Sequence, residues 1–110
     1  MASKAQHLME RSVEDYLRRR VTEMHGICLK FTSPGLSGVP DRIIIYNGAV
    51  LFAELKRPGG KPRPQQKFVA DWLRKAGARV YCLSDKDQVD RFLAELIDHG
   101  YPDPTSYDEI

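Results

Sequence analysis

DRIIIYNGAVLFAELK, residues 41–56, is the stretch that decides the fold, because two apolar runs in it flank the dipeptide Asn47-Gly48. Asn-Gly favours a two-residue type I′ turn, in which both central residues take a positive φ. The stretch therefore predicts a β-hairpin, with one strand over Arg42–Tyr46 and the returning strand over Ala49–Leu55.

A two-residue turn also predicts which side chains of the hairpin face each other. If Tyr46 pairs with Ala49, then Asp41 lies opposite Glu54. Opposed side chains share one face of a sheet, with their Cβ atoms about 5 Å apart. Lys56 follows Glu54 by two residues and therefore projects from the same face. The hairpin thus brings two carboxylates and one amine together at its open end.

Two opposed carboxylates repel each other, and a hard cation with oxygen ligands would remove that penalty. We therefore interpret Asp41 and Glu54 as metal ligands, with the backbone carbonyl of Leu55 as a further candidate ligand. A cation bound there polarises a phosphoryl oxygen and lowers the pKa of bound water, which suits phosphodiester hydrolysis. Lys56 could stabilise the developing negative charge or position the nucleophile. The alternative is that Glu54 and Lys56 form a surface ion pair on an edge strand.

Before the hairpin, the sequence predicts a helix over residues 6–24, a strand over 27–32 and a Gly/Pro/Ser-rich loop over 33–40. Gly26 suits the left-handed position that often ends a helix. Apolar residues recur at helical spacing and predict one buried stripe: Met9, Val13, Leu17, Val21 and Met24.

After the hairpin, Pro64 suits the first turn of a helix that we expect to end near residue 76, before Gly77. A short strand over 79–83 follows, and Ser84 is the predicted N-cap of a last helix. The expected buried face of the helix after Pro64 comprises Phe68, Val69, Trp72, Leu73 and Ala76. That of the last helix comprises Val89, Phe92, Leu93, Leu96 and Ile97.

The order helix, three strands, helix, strand, helix predicts an α/β fold with a mixed four-stranded sheet. The first three strands should be antiparallel neighbours, and the third and fourth should be parallel because a helix connects them. This is an αβββαβ core with an added C-terminal helix. The 110 residues fit a single domain over 1–100, followed by an acidic tail over 101–110.

Charge is distributed unevenly, although the net charge is only +2. Residues 56–79 hold eight basic residues and one acid, whereas residues 84–110 hold eight acids and two bases. The first stretch could meet a polyanion that the second would repel. The alternative is ordinary solvated surface charge.

Other classes of protein are disfavoured by the sequence. No apolar run approaches the ~20 residues of a membrane span, and the polar N-terminus lacks the apolar segment of a secretory signal. Cys28 and Cys82 fall inside predicted strands and are interpreted as buried thiols in a reducing compartment. We therefore expect a cytoplasmic protein. The three histidines pair with no cysteine at zinc spacing.

The motif residues resemble a known family. Pro40-Asp41, a short hairpin and Glu54-Leu55-Lys56 are similar to the active-site motif of the PD-(D/E)XK nuclease superfamily. The likeness is closer to its VRR-NUC branch, through Gly38-Val39-Pro40-Asp41-Arg42, Gly59-Gly60-Lys61 and Gln66. It extends from about residue 10 to 96. The resemblance implies a restriction-endonuclease-like core and dependence on Mg²⁺ or Mn²⁺.

The resemblance also implies roles for residues outside the hairpin. Family members carry a glutamate on the first helix as a metal ligand or a supporting group, and Glu14 is the candidate, with Glu10 as its competitor. Gln66 would contact phosphate or a metal-bound water, unless it is an ordinary polar residue of the first helical turn.

Candidate DNA contacts lie in the loops around the motif. Lys61 and Arg63 would hold the phosphate backbone, where cations gain affinity by counterion release. Ser37 precedes Asp41 and could touch the substrate. The alternatives are charges that serve solubility and a serine that is simply part of a loop.

Short stand-alone members of the family resemble Holliday-junction resolvases, which implies a structure-selective endonuclease that acts on four-way DNA junctions as a homodimer. The chain carries no sequence-reading module, which favours recognition of DNA shape through its backbone. The alternatives are a less selective nuclease that trims flaps or ends, and a non-catalytic nucleic-acid-binding module. The dimer surface is expected on an apolar face of the first helix or near Trp72.

Overall fold

The structure is a computed structural model that describes residues 4–107, so residues 108–110 of the expected acidic tail lie outside the described part. Its elements follow the predicted order. They are α1 (Lys4–Glu23), β1 (Ile27–Lys30), β2 (Arg42–Tyr46), β3 (Ala49–Leu55), α2 (Pro64–Lys75), β4 (Val80–Leu83), α3 (Lys86–His99) and a 3₁₀ turn (Pro104–Ser106). None of the described helices is long and apolar enough to cross a membrane.

The four strands form one mixed sheet in the order β1-β2-β3-β4, as predicted. The pairs β1–β2 and β2–β3 are antiparallel, and β3–β4 is parallel. The predicted hairpin register is confirmed, since Tyr46 pairs with Ala49 and Ile43 pairs with Phe52. Asn47 and Gly48 take φ values of 47° and 84°, as a type I′ turn requires.

Helices α1 and α3 cover one face of the sheet and form the main core. The predicted stripes supply most of the buried helical side chains, whereas Met9 and Ile97 at their ends are exposed. The chain after α3 returns to this core, because the Tyr107 ring packs edge-on against the rings of Tyr81 and Phe92. The expected tail is therefore folded as far as Tyr107.

Among the described helices, α2 lies on the opposite face of the sheet, where its main contacts are with β4. Its buried residues are Gln66, Val69 and Ala70, so the predicted burial of Phe68, Trp72 and Ala76 is wrong. An apolar stripe at helical spacing indicates which side of a helix is apolar. It does not indicate how much of that side the neighbouring sheet covers.

Two helix ends differ from the prediction. His25, not Gly26, takes the left-handed conformation after α1, with φ 65°. A Cβ on Gly26 would lie 2.9 Å from Val21 Cγ1, so this glycine permits close packing instead. Asp85, not Ser84, caps α3, and its Oδ1 accepts a 2.7 Å hydrogen bond from an amide of the first turn.

Candidate active site

Asp41 stands immediately before β2 and is held by hydrogen bonds on two sides. Its carbonyl accepts from Phe31 N at 2.9 Å, which continues the β1–β2 pairing by one step. Its carboxylate Oδ2 accepts from Leu55 N at 2.8 Å. The carboxylate of Asp41 is therefore fixed over the C-terminal end of β3, beside Glu54.

Glu54 is a carboxyl group buried inside the sheet, with 2% of its surface exposed. The pKa of Glu54 is raised to about 9, first by burial and then by the hydrogen bond and charge of the neighbouring Asp41 carboxyl, while the charges of Lys56 and Arg63 oppose the shift. The buried Glu54 Oε2 has no hydrogen-bond partner among the described residues. A buried oxygen without a partner is costly. It is also what a cation ligand looks like in the absence of its ion.

Two cations border this carboxylate pair. Lys56 extends the β3–β4 pairing, because its backbone N donates to Leu83 O at 3.0 Å, and its half-buried side chain lies near Glu54. Arg63 directly precedes α2, and its charge also acts on Glu54. The structure thus brings together Asp41, Glu54 and Lys56, as the hairpin register predicts. It adds the charge of Arg63, for which the sequence predicts only a DNA contact.

The donor set fits a hard divalent cation, which one or two carboxylates can hold together with water and substrate oxygens. Asp41 and Glu54 are such a pair. Among the side chains that the structure describes, no three His, Cys, Asp or Glu residues are grouped so that they could hold a metal ion.

Glu14 lies away from this pair. Its Oε2 accepts hydrogen bonds from Lys30 Nζ at 3.0 Å and Arg42 Nε at 2.7 Å. Burial alone would raise the pKa of Glu14, but these two hydrogen bonds lower it overall. Arg42 alternates with Asp41 along the chain and projects from the face that α1 covers, whereas Glu54 projects from the other face. A metal-ligand role for Glu14 stays a prediction.

Gln66 is buried, and its amide group caps α2. Its Oε1 accepts from Arg63 N at 2.8 Å, which is the reciprocal half of a capping box. This contact agrees with the alternative reading of Gln66 as a polar residue of the first turn. Its contact with phosphate or metal-bound water stays a prediction.

The loop before Asp41 is docked on the start of α2. Gln65 Nε2 donates to the carbonyl of Ser37 at 3.2 Å. Gly38 has φ +89°, and a Cβ there would lie 2.8 Å from Gln65 Cγ and 2.9 Å from Gln65 O. No local pattern in the sequence predicts this role of Gln65, because Ser37 and Gln65 lie far apart along the chain. Lys61 is exposed in the loop between β3 and α2.

We expect Gly38→Ala to destabilise the fold by about 1–3 kcal/mol, because the added Cβ meets backbone atoms of Gln65 and the positive φ is strained for alanine. Denaturant unfolding of the purified variants measures this. Gly35→Ala, in the same loop, is the matched control, since a Cβ there meets nothing within 4 Å. Equal stability of the two variants would show that the loop is not docked as described.

The chain is similar to known proteins over most of its length. It is 41% identical over 81 residues to "Putative nuclease p44" of Acyrthosiphon pisum secondary endosymbiont phage 1, covering 73% of this chain and 87% of that protein. A solved structure described as "VRR_NUC domain" superposes with a TM-score of 0.72 at 33% identity, covering 84% of this chain and 98% of the other. No protein-family model matches the chain.

Proposed function

Because the chain belongs to the VRR-NUC family and is a nuclease, we propose that it hydrolyses DNA phosphodiester bonds with a bound Mg²⁺ or Mn²⁺ ion. The observation that carries the proposal is the buried Glu54, whose Oε2 has no partner among the described residues, next to the Asp41 carboxylate. A purely structural site would rarely keep two carboxyl groups and an unsatisfied oxygen together.

Each residue near the ion has a separate role in this mechanism. Asp41 and Glu54 hold the ion, which supplies Lewis acidity and a bound water of lowered pKa. Lys56 stands beside the pair and stabilises negative charge that develops on the phosphate. The hydrogen bond from Leu55 N keeps the Asp41 carboxylate oriented before substrate binds. Because the C-terminal end of β3 is buried, the charges of Asp41, Glu54 and Lys56 lie in a medium of low dielectric constant and interact strongly.

Three further contacts are part of the proposal. The Leu55 carbonyl is a third protein ligand of the ion. Glu14 supports the site from the other face of the sheet and can approach the ion only by releasing Lys30 and Arg42. Gln66 contacts the phosphate or a metal-bound water through the part of its amide that does not cap α2.

Lys61, Arg63 and Ser37 are the proposed DNA contacts. Lys61 and Arg63 lie on the loop that joins the site to α2. The Ser37 carbonyl is used by Gln65, which leaves its hydroxyl as the group that could meet the backbone. All three contacts address phosphates, so they position DNA without reading its sequence.

We expect Lys61→Gln to weaken DNA binding and to reduce the slope of log affinity against log salt by about 0.9, the value for one lost phosphate contact. Binding measured by fluorescence anisotropy over a salt series, with Ca²⁺ in place of Mg²⁺, gives this slope. Lys75→Gln, exposed at the far end of α2, is the control and should leave the slope unchanged. An unchanged slope in the Lys61 variant would show that Lys61 does not contact the DNA backbone.

The proposed substrate is branched DNA, the four-way junction in particular, cut by a homodimer. Two copies related by a two-fold axis would present two sites to two strands, which suits a symmetric junction. The alternatives are a flap- or end-trimming nuclease with the same site, and a non-catalytic module that only binds nucleic acid.

The experiment is a cleavage assay on labelled four-way junction, flap, duplex and single-stranded DNA, each with Mg²⁺, Mn²⁺ or EDTA. Metal-dependent cleavage of the junction supports the full proposal. Cleavage of flaps or single strands instead would support the proposed metal site and would make those DNA structures the substrate. Binding without cleavage under either metal would overturn the catalytic proposal in favour of the binding module.

A further inference from the structure

Two cavities adjoin on the surface between α1 and the N-terminal end of α3. Their volumes are about 370 Å³ and about 380 Å³, within the range of about 300–1,000 Å³ that small-ligand sites occupy. Ser12 and Lys86 line both cavities, so the two form one continuous groove, which we call the α1–α3 groove. Its walls also include Met9, Val13, Pro58, Tyr16 and Arg19.

One end of the α1–α3 groove lies at the active-site end of the sheet. Pro58 follows Lys56 by two residues, Ser84 directly follows β4, and both Pro58 and Ser84 line the first cavity. The hydrogen bond from Lys56 N to Leu83 O places the ends of β3 and β4 side by side. The groove and the metal site are therefore on opposite faces of the sheet at the same end. A DNA strand that passes around this end would reach both.

The end of the groove nearest the metal site has apolar walls and an acidic rim. Val13 belongs to the buried core, whereas Met9 and Pro58 are exposed beside it. Asp85 and Asp87, at the start of α3, line the same cavity. Their carboxylates repel phosphate but can accept hydrogen bonds from the amino groups of bases. This end of the groove therefore suits an unpaired nucleobase and excludes the phosphates of the backbone.

Tyr16 holds two cations at the other end of the groove. Lys86 Nζ lies 5.4 Å and Arg19 Cζ lies 5.3 Å from the centroid of the Tyr16 ring. A cation near the face of an aromatic ring is attracted to its π electrons. The Tyr16 hydroxyl donates to Asp90 Oδ1 at 2.6 Å, which fixes the ring between α1 and α3. The two positive charges therefore have defined positions before a ligand binds.

Positive charge exceeds negative charge in this second cavity. Among the described residues that line it, four are cations (Arg11, Arg18, Arg19 and Lys86), and Asp15 is the one acid. Arg19 also pairs with a glutamate one turn along α1, at 3.6 Å, but both side chains are exposed and such pairs are weak. The excess of positive charge is complementary to a phosphate backbone.

The shape of the groove favours a single strand over a duplex. Met9 and Arg19 are about 15 Å apart along α1, at about 1.5 Å per residue, which gives room for a base and its neighbouring phosphates. A duplex keeps its bases stacked and paired, so they cannot enter the apolar cavity. Sites for single-stranded nucleic acid combine a positively charged groove that follows the backbone with side chains against which bases lie.

We propose that the α1–α3 groove binds an unpaired segment of the DNA substrate, with a base between Met9, Val13 and Pro58 and the neighbouring phosphates on Lys86 and Arg19. The inference rests on the proposed function and names a feature of the substrate, a single strand next to the phosphate that is cut. A branched DNA offers such a strand where its arms open.

Binding of a labelled single-stranded oligothymidine, measured by fluorescence anisotropy in EDTA over a salt series, tests the phosphate contacts without cleavage. Lys86→Gln and Arg19→Gln should each weaken binding and reduce the slope of log affinity against log salt by about 0.7, the value for one phosphate contact of a single strand. Lys75→Gln, exposed at the end of α2, is the control and should leave the slope unchanged. Unchanged slopes in the Lys86 and Arg19 variants would overturn the proposal.

A charge placed in the middle of the groove tests its path. Ser12 is exposed and lines both cavities, so Ser12→Glu should weaken oligothymidine binding by at least about tenfold, because like charges in contact are strongly unfavourable. Thr22→Glu, exposed on the same helix, lies outside both cavities and is the matched control. Thermal unfolding of both variants checks their folding. Equal binding by the two variants would show that the strand does not follow the groove.

An abasic oligonucleotide of equal length and charge tests the place of the base. Wild-type protein should bind it at least about fivefold more weakly than oligothymidine, the lower bound for the loss of one bound base. Equal affinity for the two strands would overturn the assignment of the apolar cavity to a base.

Two variants separate the groove from the proposed catalytic site. Asp41→Asn should bind oligothymidine in EDTA at least as well as wild type, because it loses only a negative charge. Ser12→Glu should raise the KM for metal-dependent cleavage of a substrate with an unpaired strand, in proportion to its lost affinity. Groove-dependent binding by a wild type that cleaves no DNA would overturn the proposed function alone. Cleavage with the same KM in wild type and Ser12→Glu would overturn the groove alone.

Discussion

Asp41→Asn is expected to reduce metal-dependent cleavage by at least about 100-fold, the scale on which single electrostatic contacts to a reacting group act. Asparagine keeps an oxygen that can accept the hydrogen bond from Leu55 N, so the local geometry is retained. It lacks the negative charge that holds a divalent cation. The loss should therefore appear in the metal dependence and the chemical step, not in the fold.

Single-turnover cleavage over a range of Mg²⁺ and Mn²⁺ concentrations measures the effect, with thermal unfolding of the same samples as a check on folding. Asp98→Asn, exposed on α3 far along the chain from the site, is the matched control and should cleave at the wild-type rate. Cleavage at the wild-type rate by the Asp41 variant would show that this carboxylate is not a metal ligand. Its hydrogen bond with Leu55 N would then have only a structural role.

Glu54→Gln is expected to abolish cleavage and, in the absence of metal, to stabilise the fold. Burial and the Asp41 carboxyl raise the pKa of Glu54 from 4.5 to about 9. The folded protein therefore keeps a proton that the unfolded chain releases above pH 4.5. The free energy of unfolding falls as pH rises from that value toward 9, and the cost at pH 7 is up to about 3 kcal/mol. Glutamine removes this cost while occupying nearly the same volume.

Urea denaturation at several pH values in EDTA measures the difference between the two proteins. The stabilisation by glutamine should be near zero at pH 4 and should grow steadily toward pH 8. Saturating Mg²⁺ should restore part of the stability of the wild type and none of the variant, because a ligand that binds only the folded state stabilises it. A variant that is less stable than wild type at neutral pH would mean that Glu54 is held by contacts other than a cation.

Much of the candidate site could be predicted from residues 41–56 because its geometry is local. Asn47-Gly48 permits one tight turn, that turn sets one register, and the register puts Asp41, Glu54 and Lys56 on one face. No distant contact is needed for this result. The mixed sheet follows equally from element order, since a helix between β3 and β4 requires them to be parallel if they are neighbours.

The surroundings of several other residues depend on distant parts of the chain and could not be predicted from local patterns. Helical spacing identified apolar sides of α2 but not their burial, so Phe68 and Trp72 were expected inside and are exposed. The metal-ligand role of Glu14 stays a prediction, but its partners Lys30 and Arg42 come from two strands whose position relative to the helix no local pattern encodes. The contact of Gln65 with Gly38 and Ser37 is of the same kind.

The sequence by itself determined the hairpin, its register, the order of the strands and the grouping of the carboxylates with Lys56, because turn chemistry and the two-residue strand period act between neighbours. The tertiary structure alone decided that Glu54 is buried with an unsatisfied oxygen, that Glu14 is bound to Arg42, and that one side of the sheet stays open. Burial and long-range pairing depend on where whole elements pack, and packing is set by the sum of many weak contacts across the molecule.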